Sequence, residues 1–303
     1  MATVPLDDAG RPLFELPAEL AIDTDVARRV ISGFIRGQLR QAGFERCVLA
    51  LSGGIDSALV AYLVAEAIGP ANLLAVLMPY RTSSPASRAD AEAIVADLAC
   101  QSELIDISPM VDAYFGREDL AGAAGPEALA ASPIRRGNLM ARTRMAVAYD
   151  RSVTFGGLVV GTGNKTESLI GYTTIYGDNA CAFNPIGDLY KSQVRQLAAA
   201  IGVPRQVIAK APSADLWPDQ TDEGEGGFSY PLLDRILYWR VDRRRSLEEL
   251  AGMGFERALI ERVDRLMATS EFKRQVPPIA KLGPRTAGVD YLYPRRRPGS
   301  ARA

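Results

Sequence analysis

The chain of 303 residues contains no histidine, and that absence excludes more chemistry than any other feature of its composition. A Ser-His-Asp or Cys-His nucleophile system, a histidine general base and a histidine-ligated metal are all ruled out. Catalysis, if there is any, falls to carboxylates, cations, hydroxyls and a bound hard cation. Cysteine is scarce: Cys47, Cys100 and Cys181 stand far apart and make no C-x-x-C pair. They read as free thiols of a reducing compartment, not as a zinc site or a disulfide framework. No apolar run approaches the roughly 20 residues that span a bilayer, and no basic start with an apolar segment marks a secretion signal. A cytoplasmic protein without a membrane partner is therefore expected. Charge of one sign is missing too, since 35 Lys and Arg against 36 Asp and Glu leave a formal net charge of -1. That balance gives no overall attraction to nucleic acid.

What is present concentrates in Leu51-Ser52-Gly53-Gly54-Ile55-Asp56-Ser57. The apolar run Arg46-Cys47-Val48-Leu49-Ala50-Leu51 before it reads as a buried parallel strand, and residues 58–65 continue in a helical pattern. Adjacent glycines allow positive φ and a close backbone approach to a ligand, while Ser52 and Ser57 add hydroxyl donors. At a helix start, unpaired N–H groups and the positive dipole end favour an anion, here a phosphate chain. Asp56 is repelled by phosphates unless a cation lies between them, and Mg²⁺ supplies it. The plainer alternative is a tight strand-to-helix turn with Ser57 as N-cap.

Residues 1–23, rich in proline and acids, are expected to form an extended arm. From Thr24 the apolar positions Val26, Val30, Ile31, Phe34, Ile35 and Leu39 recur at helical spacing as far as Gly43. Such a helix packs on its own sheet or, as the lesser alternative, forms a dimer seam. Leu73-Leu74-Ala75-Val76-Leu77-Met78 reads as the second strand and residues 84–99 as the second crossover helix. Ser102-Glu103-Leu104-Ile105-Asp106-Ile107 reads as the third strand and Gly157-Leu158-Val159-Val160 as the fourth. This alternation predicts an α/β fold, a doubly wound, mainly parallel sheet flanked by helices, with ligands beyond the carboxyl ends of its strands.

A long helix is expected from Arg136 to about Tyr149, with Asn138 and Arg142 on one face; a solvated basic face is the alternative. Residues 116–133 read as a surface excursion, and 212–230 as a long loop carrying Asp215, Asp219, Asp222, Glu223 and Glu225. Residues 231–239, 247–252 and 255–267 form a small helical extension, and 278–303 a partly disordered basic tail. Residues 161–167 leave the end of the fourth strand, so Thr162 and Glu167 reach the same mouth as Asp56. Glu167 alone is an ordinary helix-start carboxylate. Beside Asp56 it is a second Mg²⁺ ligand, because this ion takes one or two protein carboxylates plus phosphate oxygens and water. Lys191 falls in the first turn of a helix expected from Leu189, where the dipole disfavours a cation and so hints at an anion held there.

The glycine loop resembles the SGGxDS pyrophosphate loop of the ATP pyrophosphatase families, which cleave ATP between its α and β phosphates. Further segments follow in order: Arg142-Thr143-Arg144-Met145, Gly161-Thr162-Gly163-Asn164-Lys165-Thr166-Glu167, Gly171-Tyr172, Tyr176-Gly177-Asp178 and Lys191. Pro212-Ser213-Ala214-Asp215-Leu216 and Lys273-Arg274-Gln275-Val276-Pro277 complete the set. Over residues 24–277 the chain resembles the short, ammonia-using NAD⁺ synthetases. The resemblance implies a carbon–nitrogen ligase for the last step of NAD biosynthesis, in which deamido-NAD⁺, ATP and ammonia give NAD⁺, AMP and pyrophosphate through an adenylylated intermediate.

By matching positions it implies that Leu51, Ser52, Gly53, Gly54, Ile55, Asp56, Ser57, Thr162, Lys191 and Ser213 hold ATP as co-substrate. Asp56 and Glu167 are implied to hold Mg²⁺, and Asn138, Arg142, Asp178, Phe272 and Lys273 to face deamido-NAD⁺. Asp178 and Lys191 are the implied catalytic pair: Asp178 attracts ammonium and takes its proton, and Lys191 stabilises charge on the leaving pyrophosphate. A homodimer with the dinucleotide at the subunit interface is implied as well. Ile175 stands where many members have Lys, Ala182 where they have an acid, and Phe272 where they have His. No amidase segment precedes residue 24, so ammonia is expected from solution or from a separate amidotransferase. Two other classes stay open. A GMP synthetase or a tRNA thiolation enzyme shares the loop, the latter with a basic surface and often C-x-x-C. A nucleotide-binding module without turnover would lack one metal carboxylate.

Overall fold

The computed structural model describes residues 4–7, 9–116, 133–213, 224 and 227–286. Among them, β1 (Arg46–Ala50), β2 (Leu73–Leu77), β3 (Gln101–Leu104) and β4 (Gly157–Val160) form one sheet. All four run parallel, in the order β3-β2-β1-β4. Helix α1 (Thr24–Ala42) precedes β1, α2 (Ile55–Ile68) joins β1 to β2, and α3 (Pro85–Leu98) joins β2 to β3. Helices α4 (Ser108–Phe115) and α5 (Pro133–Phe155) lie between β3 and β4. The chain thus winds outward from β1 to β3 and comes back to the other side of β1. That reversal makes a topological switch point between the carboxyl ends of β1 and β4, where open parallel sheets take their ligands.

Strand β2 is buried along its whole length because both faces of the sheet are covered. Cys47, Leu49, Leu73 and Ala75 pack with Ile35 and Leu39 of α1 and with Leu59 and Leu63 of α2. Val48, Leu74 and Val76 point the other way, onto Ile107, Val111 and Met140, as the two-residue period of a strand requires. Burial pushes the Cys47 thiol up to about 12, which leaves it protonated and inert at neutral pH.

Helices α6 (Lys165–Ile170), α9 (Tyr230–Leu237), α10 (Leu247–Gly252) and α11 (Arg257–Thr269) share a second core around Ile170, Leu233, Ile236, Leu250, Ile260 and Val263. Helices α7 (Lys191–Ala200) and α8 (Arg205–Ala209) pack Val194, Leu197, Val207 and Ile208 into the first.

Local chemistry explains the element ends. Asp23 accepts the Val26 N–H at 2.9 Å to start α1, and Gly43 at φ 79° ends it. The apolar stripe expected on α1 splits in two: Ile31, Ile35 and Leu39 are buried, whereas Val26, Val30 and Phe34 stay exposed. Helix α5 outruns its expected end at Tyr149, since nothing breaks it before Gly156, which turns at φ 70°. The third strand stops at Leu104, not Ile107, because Asp106 accepts the Ser108 N–H at 2.8 Å and bends the chain. Helix α7 begins at Lys191, not Leu189, for Tyr190 is still extended. The helix expected over 231–239 runs Tyr230–Leu237 and continues as a π-turn, Tyr238–Asp242.

Ahead of α1 the arm docks on the body. Phe14 and Leu20 are buried, and the Ile22 backbone exchanges hydrogen bonds with the Gln196 amide at 3.0 and 2.9 Å. Most of 116–133, most of 212–230 with Asp215, Asp219, Asp222, Glu223 and Glu225, and the tail from 287 lie outside the described residues. Among the described residues no helix is long and apolar enough to cross a membrane.

Candidate active site

A cavity of about 800 Å³ opens at the carboxyl end of the sheet, and the glycine loop forms one wall. Helix α2 starts at Ile55 with Gly54 as its cap, so Ser57 is not the N-cap. Its hydroxyl instead donates to the Gly54 carbonyl at 3.0 Å and lies 3.1 Å from the Ser52 hydroxyl. Gly54 N–H donates to the Ser52 Oγ at 3.2 Å. Leu51, Ser52, Gly54, Ile55, Asp56 and Ser57 all line the cavity, whereas Gly53 faces away onto α3. Gly53 adopts φ +79°, and a Cβ there would sit 2.0 Å from the Ser87 carbonyl oxygen. Only glycine meets both conditions.

At the switch point three ionised side chains converge. Lys191, 3% exposed, donates from Nζ to Asp56 Oδ2 at 2.5 Å and to Glu167 Oε1 at 3.1 Å. The other oxygen of Asp56 accepts the Asn164 amide at 2.8 Å. Asn164 also starts α6: it accepts the Glu167 N–H at 3.0 Å, and Glu167 Oε2 accepts the Asn164 N–H at 3.4 Å. That reciprocal pair is a capping box, and it aims Glu167 back toward β1. A buried ammonium is tolerated because two carboxylates face it.

Among the described residues no group of three or more acidic, cysteine or histidine side chains could by itself hold a metal ion. Asp56 and Glu167 nonetheless both reach one nitrogen. Two hard oxygen donors with a shared focus suit Mg²⁺ when phosphate oxygens and water complete its shell.

Asp178 lines the same cavity. Its carboxylate accepts the Thr173 hydroxyl at 2.7 Å and the Thr174 N–H at 2.6 Å, which closes a tight loop with Tyr176 at φ 57°. Helix α5 grips this loop from beside it. Asn138 Oδ1 accepts the Thr174 hydroxyl at 2.9 Å, and Arg142 Nε donates to the Ile175 carbonyl at 3.2 Å. Asn138 lines the cavity, but Arg142 does not. Lys273 does, with Nζ donating to the Gly171 and Thr173 carbonyls at 2.8 Å each. Phe272 is 60% exposed and stands outside the walls. Thr162 and Ser213 both line the cavity.

Three lining or supporting residues received no role in the sequence reading. Arg144, which stands in a quoted segment, donates to the Met78 carbonyl at 3.0 Å. Lys210, which stands in none and has no spacing that signals a site, holds Ser87 at 2.9 Å and Asp90 at 3.0 Å on α3. Asn164 was legible, for Asn-x-x-Glu before an apolar run marks a capping box. Behind Lys191, burial drives the Asp234 carboxyl above the usual carboxylate range, opposed by hydrogen bonds from Ser192 and Thr166 and by the lysine charge. Burial likewise raises the Cys181 thiol, beside Gly161.

A family model described as NAD synthase matches residues 27–277. The chain belongs to the NAD synthase family. It is 49% identical over 278 residues to an NH(3)-dependent NAD(+) synthetase of Trichlorobacter lovleyi, covering 92% of this chain and 98% of that one. Among solved structures, the NH3-dependent NAD synthetase of Campylobacter jejuni superposes with a TM-score of 0.72 at 34% identity. That match covers 86% of this chain and 100% of the other. An NMN synthetase from Francisella tularensis superposes at 0.74 with 28% identity, covering 86% and 99%. The matched stretch includes the sheet, the glycine loop and Asp56, Glu167 and Lys191.

A Gly53→Ala substitution tests the loop's packing. Left-handed φ at alanine costs about 1–2 kcal/mol before the contact with Ser87 is counted. In a chain of this size a drop of at least about 2 °C in melting midpoint is expected. An unchanged midpoint would show that the loop accommodates a side chain there.

Proposed function

We propose that the protein amidates deamido-NAD⁺ with ammonia at the expense of ATP, giving NAD⁺, AMP and pyrophosphate. One observation carries the reading: Asp56, Glu167 and Lys191 meet beside a glycine loop at the β1/β4 switch point, in a chain that has no histidine to do other chemistry. A carboxylate is a poor electrophile. The nicotinate oxygen therefore attacks the α phosphorus in line, the bond to the β-phosphate oxygen breaks, and pyrophosphate leaves with the electron pair. Ammonia then attacks the acyl carbon of the adenylate and AMP departs. No protein nucleophile is required.

Mg²⁺ held by Asp56 and Glu167 supplies charge neutralisation on the phosphates. The Lys191 ammonium, the hydroxyls of Ser52 and Ser57 and the N–H groups at the start of α2 address the same charge as it develops on the leaving group. Thr162 and Ser213 complete the ATP contacts. Asn138 and Lys273 line the wall assigned to deamido-NAD⁺. Arg142 serves it through its hold on Ile175, and Phe272 meets it from outside the cavity. Asp178, the carboxylate of that wall, draws ammonium in and accepts its proton.

The same reading places the protein in the cytoplasm, without nucleic acid or membrane as partner, and takes ammonia from solution or from a separate amidotransferase. It also makes the protein a homodimer. Val26, Val30 (64% exposed) and Phe34 form an apolar strip on α1, with Phe34 edge-on to Phe183 at 6.0 Å. Phe183 bridges the edge strand β4 at Val160, and Tyr149 and Val153 (83% exposed) add a second strip on α5. Apolar surface of this extent calls for a partner.

Incubation with MgATP, deamido-NAD⁺ and ammonium is expected to yield AMP and NAD⁺ in equal amounts. ADP in place of AMP would overturn the pyrophosphatase chemistry, and AMP without NAD⁺ would reject the substrate. A parallel arm with the corresponding mononucleotide separates this reaction from the formation of NMN. Asp178→Asn is expected to cut kcat/KM for ammonium about a hundredfold, the scale of a lost general base; full turnover at every pH would dismiss that role. The double variant Val30→Glu, Val153→Glu is expected to sediment as a single subunit where the parent sediments as two, and a parent that sediments as one refutes the dimer.

A further inference from the structure

Asp234 lies on α9 with none of its surface exposed, away from every substrate-facing position named so far. A carboxylate so deep is costly unless its oxygens are satisfied, and here both are used. Oδ1 accepts the Thr166 hydroxyl at 2.6 Å. Oδ2 accepts the Ser192 N–H at 2.7 Å and the Ser192 hydroxyl at 2.6 Å. The Thr166 oxygen in turn accepts the Lys191 N–H at 2.9 Å. Thr166 immediately precedes Glu167, and Ser192 immediately follows Lys191. One buried carboxylate thus ties together the starts of α6 and α7, the two helices that deliver the site's second carboxylate and its ammonium.

The arrangement also answers an electrostatic difficulty. Lys191 is the first residue of α7, where the unpaired N–H groups and the helix dipole repel a cation. Asp234 takes up those N–H groups from another helix, one directly and one through Thr166. Four residues earlier on α9, the Tyr230 ring stands 5.2 Å from Lys191 Nζ, close enough for cation–π attraction. Helix α9 therefore holds the lysine by its backbone and by its tip.

We propose that Asp234 is a positioning residue for pyrophosphate release: through Thr166 and Ser192 it sets the spacing at which Lys191 reaches both Asp56 and Glu167 beside the leaving phosphates. The proposal rests on the amidation reading above. Failure of that reading appears as no turnover by the unaltered protein, whereas failure of this one appears only in comparisons among variants.

The test uses the full chain and the isosteric Asp234→Asn, which removes the carboxylate charge and replaces one of its two acceptor oxygens with an amide NH2, so the hydrogen bonds from Thr166 and Ser192 can no longer all be kept. Expected is a fall in kcat of about thirtyfold or more with KM for ammonium within about twofold of the parent, since Asp178 stands apart from this network. In a Lys191→Met background the same substitution is expected to cost less than about tenfold, because the route through Ser192 and Lys191 is gone and only the one through Thr166 and Glu167 remains. Arg235→Ala, one residue on along the same helix, removes an ion pair with Glu19 of the N-terminal arm; it serves as the control and is expected to keep parental kcat. Should Asp234→Asn fail to fold, the pair Thr166→Val and Ser192→Ala removes the two hydroxyl bonds and enters the same cycle. A folded Asp234→Asn with parental kcat, or losses that multiply fully in the Lys191→Met background, would overturn the proposal.

Discussion

The position of one ammonium group governs this structure. Lys191 is almost wholly withdrawn from water, and a lone cation there would be untenable. It is held because Asp56, from the first turn of α2, and Glu167, from the helix after β4, both bond its ammonium. Each needs the others: without the lysine two carboxylates would repel at close range, and without either acid the lysine would lose its counter-charge. The cluster is therefore a lock between three chain segments as well as a place where phosphate and divalent charge can be balanced. With two carboxylates against one ammonium, the cluster can take a further cation, as the proposed reaction requires.

Sheet order supplies the frame. Because β4 returns beside β1, and does not extend the sheet beyond β3, the loops after β1 and β4 open into one crevice. The residues flanking that crevice are held by backbone contacts more than by side-chain packing. Asp178 closes its own loop through Thr173 and Thr174, and Lys273 clamps the Gly171 and Thr173 carbonyls. Cations placed over carbonyls near the end of α6 complement its dipole, so the C-terminal Lys273 and Arg274 work as fasteners of a wall built from residues about 100 positions earlier.

Much of this was legible beforehand. The apolar runs at Val48 and Leu74 are long enough and flanked clearly enough to be strands, and the glycine loop between strand and helix announces a phosphate site. Other features were not. The split of the α1 stripe into a buried Ile31–Ile35–Leu39 edge and an exposed Val26–Val30–Phe34 edge has one periodicity, and periodicity does not say which neighbour covers each half. Arg142 and Phe272, matched by motif, stand outside the cavity, because a motif places residues in order along the chain but leaves side-chain direction to packing.

By itself the sequence narrowed the class of chemistry: the missing histidine removes imidazole catalysis, and paired glycines with Asp56 and Ser57 after a buried strand carry the resemblance to the family that the match over residues 27–277 shows. Local periodicity and capping also placed β1, β2 and β4 and the ends of α1, α3 and α10 to within a residue, since those depend on residues a few positions apart. Only the tertiary structure decided that the partner of Asp56 is first of all Lys191, and that Asp234 from a distant helix anchors both Lys191 and Glu167. Those contacts join residues 24 to 135 positions apart in the chain, where burial and charge neutralisation, not local propensity, choose the neighbours.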